Sequence, residues 1–217
     1  VDGQKDGLEN YEIQNLKIIF NHTSHSDGYG GAFINRVKTN NTIHQNLNFR
    51  GIDVYVNHYD VEPADLTNPG QYGNAYAATL CSRVNSGMTY NVSNVHCYNG
   101  NLNGVCKMGG LLGGSWGTLT VENCSVEDYW IENREVNCIN KYSKQVTKTF
   151  FNQNFTVTCD AEFYTEGECG GLIGFVASNS TISYSAVRNT KMKCYGQEDQ
   201  IVPLGGNVGN ALGDMRI

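Results

Sequence analysis

Apolar and polar residues alternate along this chain in short stretches separated by Gly-, Ser- and Asn-rich turns. Thr118-Leu119-Thr120-Val121 and Thr181-Ile182-Ser183-Tyr184 each alternate with period two. So do the segment from Leu8 to Phe20 (LENYEIQNLKIIF) and the segment QVTKTFFNQNFTVTC. That period predicts strands with one face toward a core and one toward water. The second of the two segments is long enough for a hairpin or an extra sheet.

A phrase recurs with the alternation. Gly109 to Val126 reads GGLLGGSWGTLTVENCSV, and Gly170 to Val187 reads GGLIGFVASNSTISYSAV. Weaker copies start at Gly30 (GGAFINRVKTNNTIHQNLNF) and at Ala77 (AATLCSRVNSGMTYNVSNV), where Ala replaces both glycines. A further start, GGNVGNALGDMRI, lies at Gly205. The closest starts, Ala77 and Gly109, set a unit of about 30 residues. The wider spacings carry insertions at about 52–75 and 131–168. One unit cannot bury its apolar face alone, and stacking each unit on the next does so. Three short strands per unit predict an all-β chain, a right-handed parallel β-helix of about five coils forming a single domain over 1–217. The Gly pairs Gly30-Gly31, Gly109-Gly110, Gly170-Gly171 and Gly205-Gly206 are expected at its corners, through positive φ or close backbone approach. The repeated Thr and Asn are expected to form ladders. A β-sandwich with Gly-rich turns is the alternative fold.

Composition changes the picture by exclusion. The chain has 217 residues, 40% hydrophobic and only 17% charged, with a net charge of -6. This suffices for a packed core and provides no Lys/Arg cluster for nucleic acid. No apolar run is long enough for a membrane-spanning helix. The start at Val1 reads as a mature or processed chain, or a piece of a longer one. The eight cysteines, Cys81, Cys97, Cys106, Cys124, Cys138, Cys159, Cys169 and Cys194, show no zinc spacing. Their even number suggests disulfides and an oxidising compartment. Asn-x-Ser/Thr sequons at Asn21, Asn40, Asn91, Asn123, Asn154 and Asn179 agree with a secreted or cell-surface glycoprotein carrying N-glycans.

The Gly-Gly-Leu-Ile/Leu-Gly core followed by Thr-Ile/Leu resembles the GLUG-type repeat of secreted and surface proteins. More loosely, it resembles the pectin-lyase-like β-helix superfamily. The resemblance covers about half the chain. It implies an extracellular setting and adhesive or structural roles, and it implies no particular catalysis.

Function is expected to follow from the stack. Leu8–Phe20 looks like the closing half of a unit, and the stretch after Pro203 like an opening half. Open β edges template further strands, so head-to-tail self-association into a filament, or continuation into other repeats of the same polypeptide, is the leading expectation. An adhesin or carbohydrate-binding module is the second, and a polysaccharide lyase or hydrolase the third. No catalytic residue and no cofactor is assigned. Calcium is considered only for the acidic stretch CDAEFYTEGEC, with Asp160, Glu162, Glu166 and Glu168 and a Cys159–Cys169 bridge. VEDYWIENRE sets Glu127, Asp128, Glu132 and Glu135 beside Tyr129 and Trp130, a composition suited to sugars. Its alternation puts Tyr129 and Ile131 on one face, Trp130 and Glu132 on the other. His22, His25 and Asp27 sit in a polar turn; the remaining histidines are His44, His58 and His96. The tyrosines of the first insertion suit carbohydrate or protein contacts.

Overall fold

A computed structural model describes residues 9–22, 27–58, 74–134, 140–150, 153–163, 167–194, 204–211 and 215–216. These residues form strands and turns, with no helix among them. The chain first contributes β1 (Glu9–Gln14) and β2 (Lys17–His22). One full pass follows: β3 (Gly28–Gly31), β4 (Ile34–Val37), β5 (Thr42–Arg50) and β6 (Asp53–His58). The next is β7 (Ala75–Ala78), β8 (Cys81–Val84), β9 (Thr89–Tyr98) and β10 (Asn101–Gly104). The third is β11 (Lys107–Gly109), β12 (Leu112–Ser115), β13 (Thr118–Glu122), β14 (Ser125–Glu127) and β15 (Trp130–Asn133). A hairpin of β16 (Asn140–Phe150) and β17 (Gln153–Phe163) intervenes. The fourth pass is β18 (Glu168–Gly170), β19 (Ile173–Val176), β20 (Ser180–Ser183), β21 (Ala186–Arg188) and β22 (Lys191–Cys194). β23 (Leu204–Gly205), β24 (Val208–Ala211) and β25 (Met215–Arg216) are last.

Each strand pairs in parallel with its counterpart one pass away, which makes four parallel sheets. Sheet I is β3-β7-β11-β18-β23 and sheet II is β4-β8-β12-β19-β24. Sheet III runs β1-β5-β9-β13-β20-β25, with β14 and β21 beside it, and sheet IV is β2-β6-β10-β15-β22. Only β16 and β17 are antiparallel among the described strands.

The interior is built of aligned side chains. In sheet IV, Ile18, Val54, Leu102, Ile131 and Met192 are in register, one per pass. In sheet III, Val92, Val121 and Ile182 do the same, and Leu47 pairs with Val95 and Phe49 with Cys97. Val54, Leu102 and Ile131 are fully buried. Each such side chain contributes roughly 1.5–3 kcal/mol by leaving water.

Two corners have distinct chemistry. Between sheets I and II the corner opens on the second Gly of three pairs, Gly110, Gly171 and Gly206, whereas Gly30 and Gly31 both lie within β3 and the chain turns after them. None of these pairs has positive φ; close approach is the cause. A Cβ on Gly110 would fall on the Gly171 carbonyl oxygen, and one on Gly171 on the Gly206 carbonyl oxygen. Within sheet III and at its junction with sheet IV the corners are asparagine. Asn10, Asn46, Asn94, Asn123 and Tyr184 occupy equivalent positions at one bend, all with φ between 50° and 59°. Asn15, Gly51, Asn99, Asp128 and Asn189 occupy the next, with φ between 46° and 65°. Asn and Gly tolerate this left-handed conformation better than other residues. The Asn94 amide donates to Asn46 Oδ1 at 2.7 Å, and the Asn123 amide to Asn94 Oδ1 at 3.1 Å.

Several expectations change. A pass has four stations rather than three, because the first Gly of the pair ends one strand and another starts after a two-residue corner: Gly109 ends β11 and Leu112 starts β12. The copy at Ala77 aligns one residue later: Gly109 lies beside Ala78, and Thr79 takes the place of Gly110. The Thr ladder breaks into separate pairs, Thr89 with Thr118 and Thr120 with Thr181, while Thr42 lies beside Tyr90. The turns from sheet II to sheet III differ in length, so the repeated Thr starts at different columns. Residues 53–58 and 131–133 are ordinary sheet IV strands, so both insertions begin later than the sequence suggested.

Candidate binding face

The outer face of sheet IV gathers the largest exposed group of aromatic and amide side chains that the sequence analysis singled out. Alternation turns every second residue outward. One outward column is Lys17, Asp53, Asn101, Trp130 and Lys191; its neighbour is Ile19, Tyr55, Asn103, Glu132 and Lys193. Tyr129 and Ile131 are buried at 2% and 0% exposure, whereas Trp130 is 40% exposed. Trp130 Nε1 donates to Glu132 Oε2 at 3.2 Å, and Asn103 Nδ2 donates to the same oxygen at 3.1 Å. Asn101 Nδ2 donates to the Tyr55 hydroxyl at 3.1 Å, and Lys17 Nζ lies 5.0 Å from the centre of the Tyr55 ring. Ile19 is 58% exposed beside Tyr55. The face therefore offers two rings, a fixed carboxylate, two amides and flanking lysines.

The carboxylates do not converge on one reacting centre. Glu127 pairs with Arg188 at 2.7 Å, Asp128 accepts from the Asn189 amide at the corner, and Glu132 holds Trp130 and Asn103. Glu135 lies outside the described residues.

A second cluster fills the outer angle between sheets I and II, which sequence reasoning missed. Ala75 and Ala77 face the interior, so Tyr76 faces outward, yet it is fully buried. It packs edge-on against Trp116 at 5.6 Å and stacks on Tyr29 at 5.9 Å. The Arg83 guanidinium lies over Trp116 at 4.1 Å, pairs with Asp27 and donates to the Tyr29 hydroxyl at 2.9 Å. Burial pushes the Tyr76 hydroxyl far above the ordinary range. Lys107 and Glu168 form a buried pair at 3.0 Å, with Lys107 over the Phe175 ring at 4.5 Å. Every one of these cations has an internal role, so the cluster is packing. The available signal was an aromatic or Arg at the outward position of successive passes.

Glu168, of the acidic stretch, is thus buried and paired with Lys107. Glu166 and the side chains of Asp160 and Glu162 lie outside the described residues. Among the described residues no group of three or more His, Cys, Asp and Glu side chains is placed to hold a metal. His25 is likewise outside them, while His22 is buried and Asp27 pairs with Arg83. His44 is buried with Nδ1 2.6 Å from the Tyr90 hydroxyl, and burial lowers its pKa to about 4. A cavity of about 400 Å³ opens beside the asparagine bend, lined by Asn10, Tyr11, Glu12, Asn46, Asn48 and Asn94.

The six described cysteines, Cys81, Cys97, Cys106, Cys124, Cys169 and Cys194, are free thiols in this structure. The first five are buried, so they act as small apolar residues facing the interior. Cys138 and the Cys159 side chain lie outside the described residues. Of the sequon asparagines, Asn21, Asn40, Asn123, Asn154 and Asn179 are exposed, and Asn91 is half-buried within β9. No helix among the described residues is long and apolar enough to cross a membrane. Comparison with protein families, curated proteins and solved structures finds no match.

Proposed function

We propose that the chain is a right-handed parallel β-helix acting as a secreted, N-glycosylated structural subunit that assembles head to tail. The right-handed sense follows the strong preference for right-handed crossovers between parallel strands. One observation supports the assembly: β1, the outermost described strand of sheet III, has its inward column exposed. At the β1 edge the inward column remains apolar, with Tyr11 over Leu47 and 58% exposed. An edge of this kind adds strands unless it is covered.

The test is light scattering and electron microscopy of the purified chain over a range of concentrations. Filaments are expected, with an axial repeat near five strand spacings, about 24 Å. Tyr11→Asp places a charge on the docking column and abolishes them without altering the far-ultraviolet circular dichroism. A wild-type chain that stays monomeric at high concentration overturns the proposal.

The outer face of sheet IV favours a second reading, an adhesive module for carbohydrate. Trp130 and Tyr55 are two passes apart, with amides and a fixed carboxylate between. Aromatic faces pack on apolar sugar surfaces while amides bond hydroxyls. Glycan-array binding that is lost in Trp130→Ala supports this reading; no binding to any glycan removes it.

A further inference from the structure

At the asparagine bend of sheet III, three polar side chains form a run of hydrogen bonds that neither reading above uses. His96 on β9 and Ser125 on β14 are in register, and His96 Nδ1 lies 2.9 Å from Ser125 Oγ. The other ring nitrogen, Nε2, lies 3.0 Å from Asn94 Oδ1. Asn94 is held by the ladder on both sides. Its Nδ2 donates to Asn46 Oδ1 at 2.7 Å, and its Oδ1 accepts from the Asn123 amide at 3.1 Å. The atom facing His96 is therefore an oxygen with no proton to give. Nε2 must carry the proton and donate it, which leaves Nδ1 of the neutral ring as an acceptor. The Ser125 hydroxyl is then the donor. The ladder thus fixes the tautomer that lets His96 take a proton from Ser125. A hydroxyl on a base, with the base oriented by a third group, is the arrangement of an activated nucleophile.

The setting of His96 differs from that of His44, which is 1% exposed and faces a buried tyrosine. Val95 and Cys97 are buried in the core, so His96 between them turns outward, where it is half-buried. Along the stack its column reads Glu12, Asn48, His96, Ser125 and Ala186. Ser125 is 4% exposed between the imidazole and the methyl group of Ala186, which leaves space for a small acyl group only. Asn48, Glu12 and Asn94 line the cavity of about 400 Å³ beside the same bend. Asn48 and Ser125 are two strand spacings apart, about 10 Å. A molecule with its acyl group at Ser125 can therefore place its alcohol part among these amides, which suit hydroxyl groups.

We propose that Ser125 is a nucleophile, His96 its general base and Asn94 a positioning residue, and that the site cleaves short acyl esters of a polyol such as a sugar. Ser125 Oγ attacks the acyl carbon while His96 Nδ1 takes its proton. The ester C–O bond breaks, and His96 passes the proton to the leaving oxygen. The products of this half are the free alcohol and acyl-Ser125. Water then attacks the acyl carbon, His96 takes a proton from it, and Oγ leaves with that proton. One ester and one water become one carboxylic acid and one alcohol, and the serine is restored. The reaction needs no second copy of the chain, so it stands apart from filament assembly.

The experiment uses the full chain, a fluorophosphonate as covalent label, and p-nitrophenyl acetate and glucose pentaacetate as esters. The label bonds its phosphorus to a nucleophilic Oγ and loses fluoride. Peptide mapping of the labelled, unsubstituted protein is expected to place it on Ser125. Ser125→Ala should abolish labelling and reduce acetate release from both esters to that of buffer. His96→Gln should slow labelling by roughly 100-fold. Asn94→Gly keeps the left-handed bend but removes the acceptor for Nε2, and should also slow labelling. Asn94→Asp restores the acceptor and should recover it, which a purely structural role would not require. Thermal melts verify that each variant folds, and the map of the unsubstituted chain needs no variant. No label on Ser125, labelling unchanged in His96→Gln, or no acetate released from glucose pentaacetate overturns the proposal.

Discussion

Acid should weaken this fold through one buried side chain. His44 is 1% exposed, with its Nδ1 at 2.6 Å from the equally buried Tyr90 hydroxyl. Burial lowers its pKa from 6.5 to about 4. The unfolded chain therefore binds a proton that the folded chain refuses between those values. Stability falls as pH drops through that window, and is unaffected by this group above it. At about 1.4 kcal/mol per pKa unit the full loss is about 3 kcal/mol, of which roughly 2 kcal/mol appears between pH 7 and pH 5. For a chain of this size that lowers the thermal midpoint by about 4–8 °C. His44→Gln keeps a hydrogen-bond partner for Tyr90 and cannot titrate. Thermal or urea unfolding of both proteins at several pH values isolates the difference. The variant should be less stable at pH 7 yet lose about 2 kcal/mol less on acidification to pH 5. Equal pH slopes in the two proteins would refute the reasoning.

Other substitutions test the corners. Gly171→Ala drives a Cβ into the Gly206 carbonyl and Val187, whereas Gly206→Ala meets nothing within 4 Å. The first should lower stability by about 1–3 kcal/mol in urea unfolding, and the second by far less. Asn94→Ala forces Ala into the left-handed region and removes the amide links to Asn46 and Asn123. It should cost about 1–2 kcal/mol, with Asn94→Gly recovering the backbone part.

Part of this architecture is legible in the sequence. Alternation places Tyr129 and Ile131 inside and Trp130 outside, because period two is a local property of a strand. The Gly pairs locate a corner, since at Gly110 and Gly171 a Cβ would fall on the carbonyl oxygen of the next pass. Register was harder. Ala78 and Thr79 stand where Gly109 and Gly110 stand one pass later, and a tolerated Ala conceals a one-residue shift. The outward cluster around Arg83 and Tyr76 was hidden because alternation labels those positions solvent-exposed, while the angle between sheets I and II covers them. The burial of the thiols was not legible either, because an even cysteine count does not distinguish a bridge from a buried apolar side chain.

A more informative signal lies in the asparagines. Asn10 and Asn15, Asn46 and Gly51, Asn94 and Asn99, Asn123 and Asp128, Tyr184 and Asn189 are pairs of left-handed residues, five apart in every pass. This interval is constant although the passes differ greatly in length. The variation sits almost entirely at the exit from sheet IV: from His58 to Ala75, Gly104 to Lys107, Asn133 to Glu168 and Cys194 to Leu204. A left-handed bend with an amide ladder fixes two turns of the chain and allows no insertion between them. Chain is added at the exit from sheet IV without breaking the stack, since the strands that follow keep their parallel partners one pass away. The same corner carries the hairpin β16–β17, whose eleven residue pairs are made within itself and not with the stack.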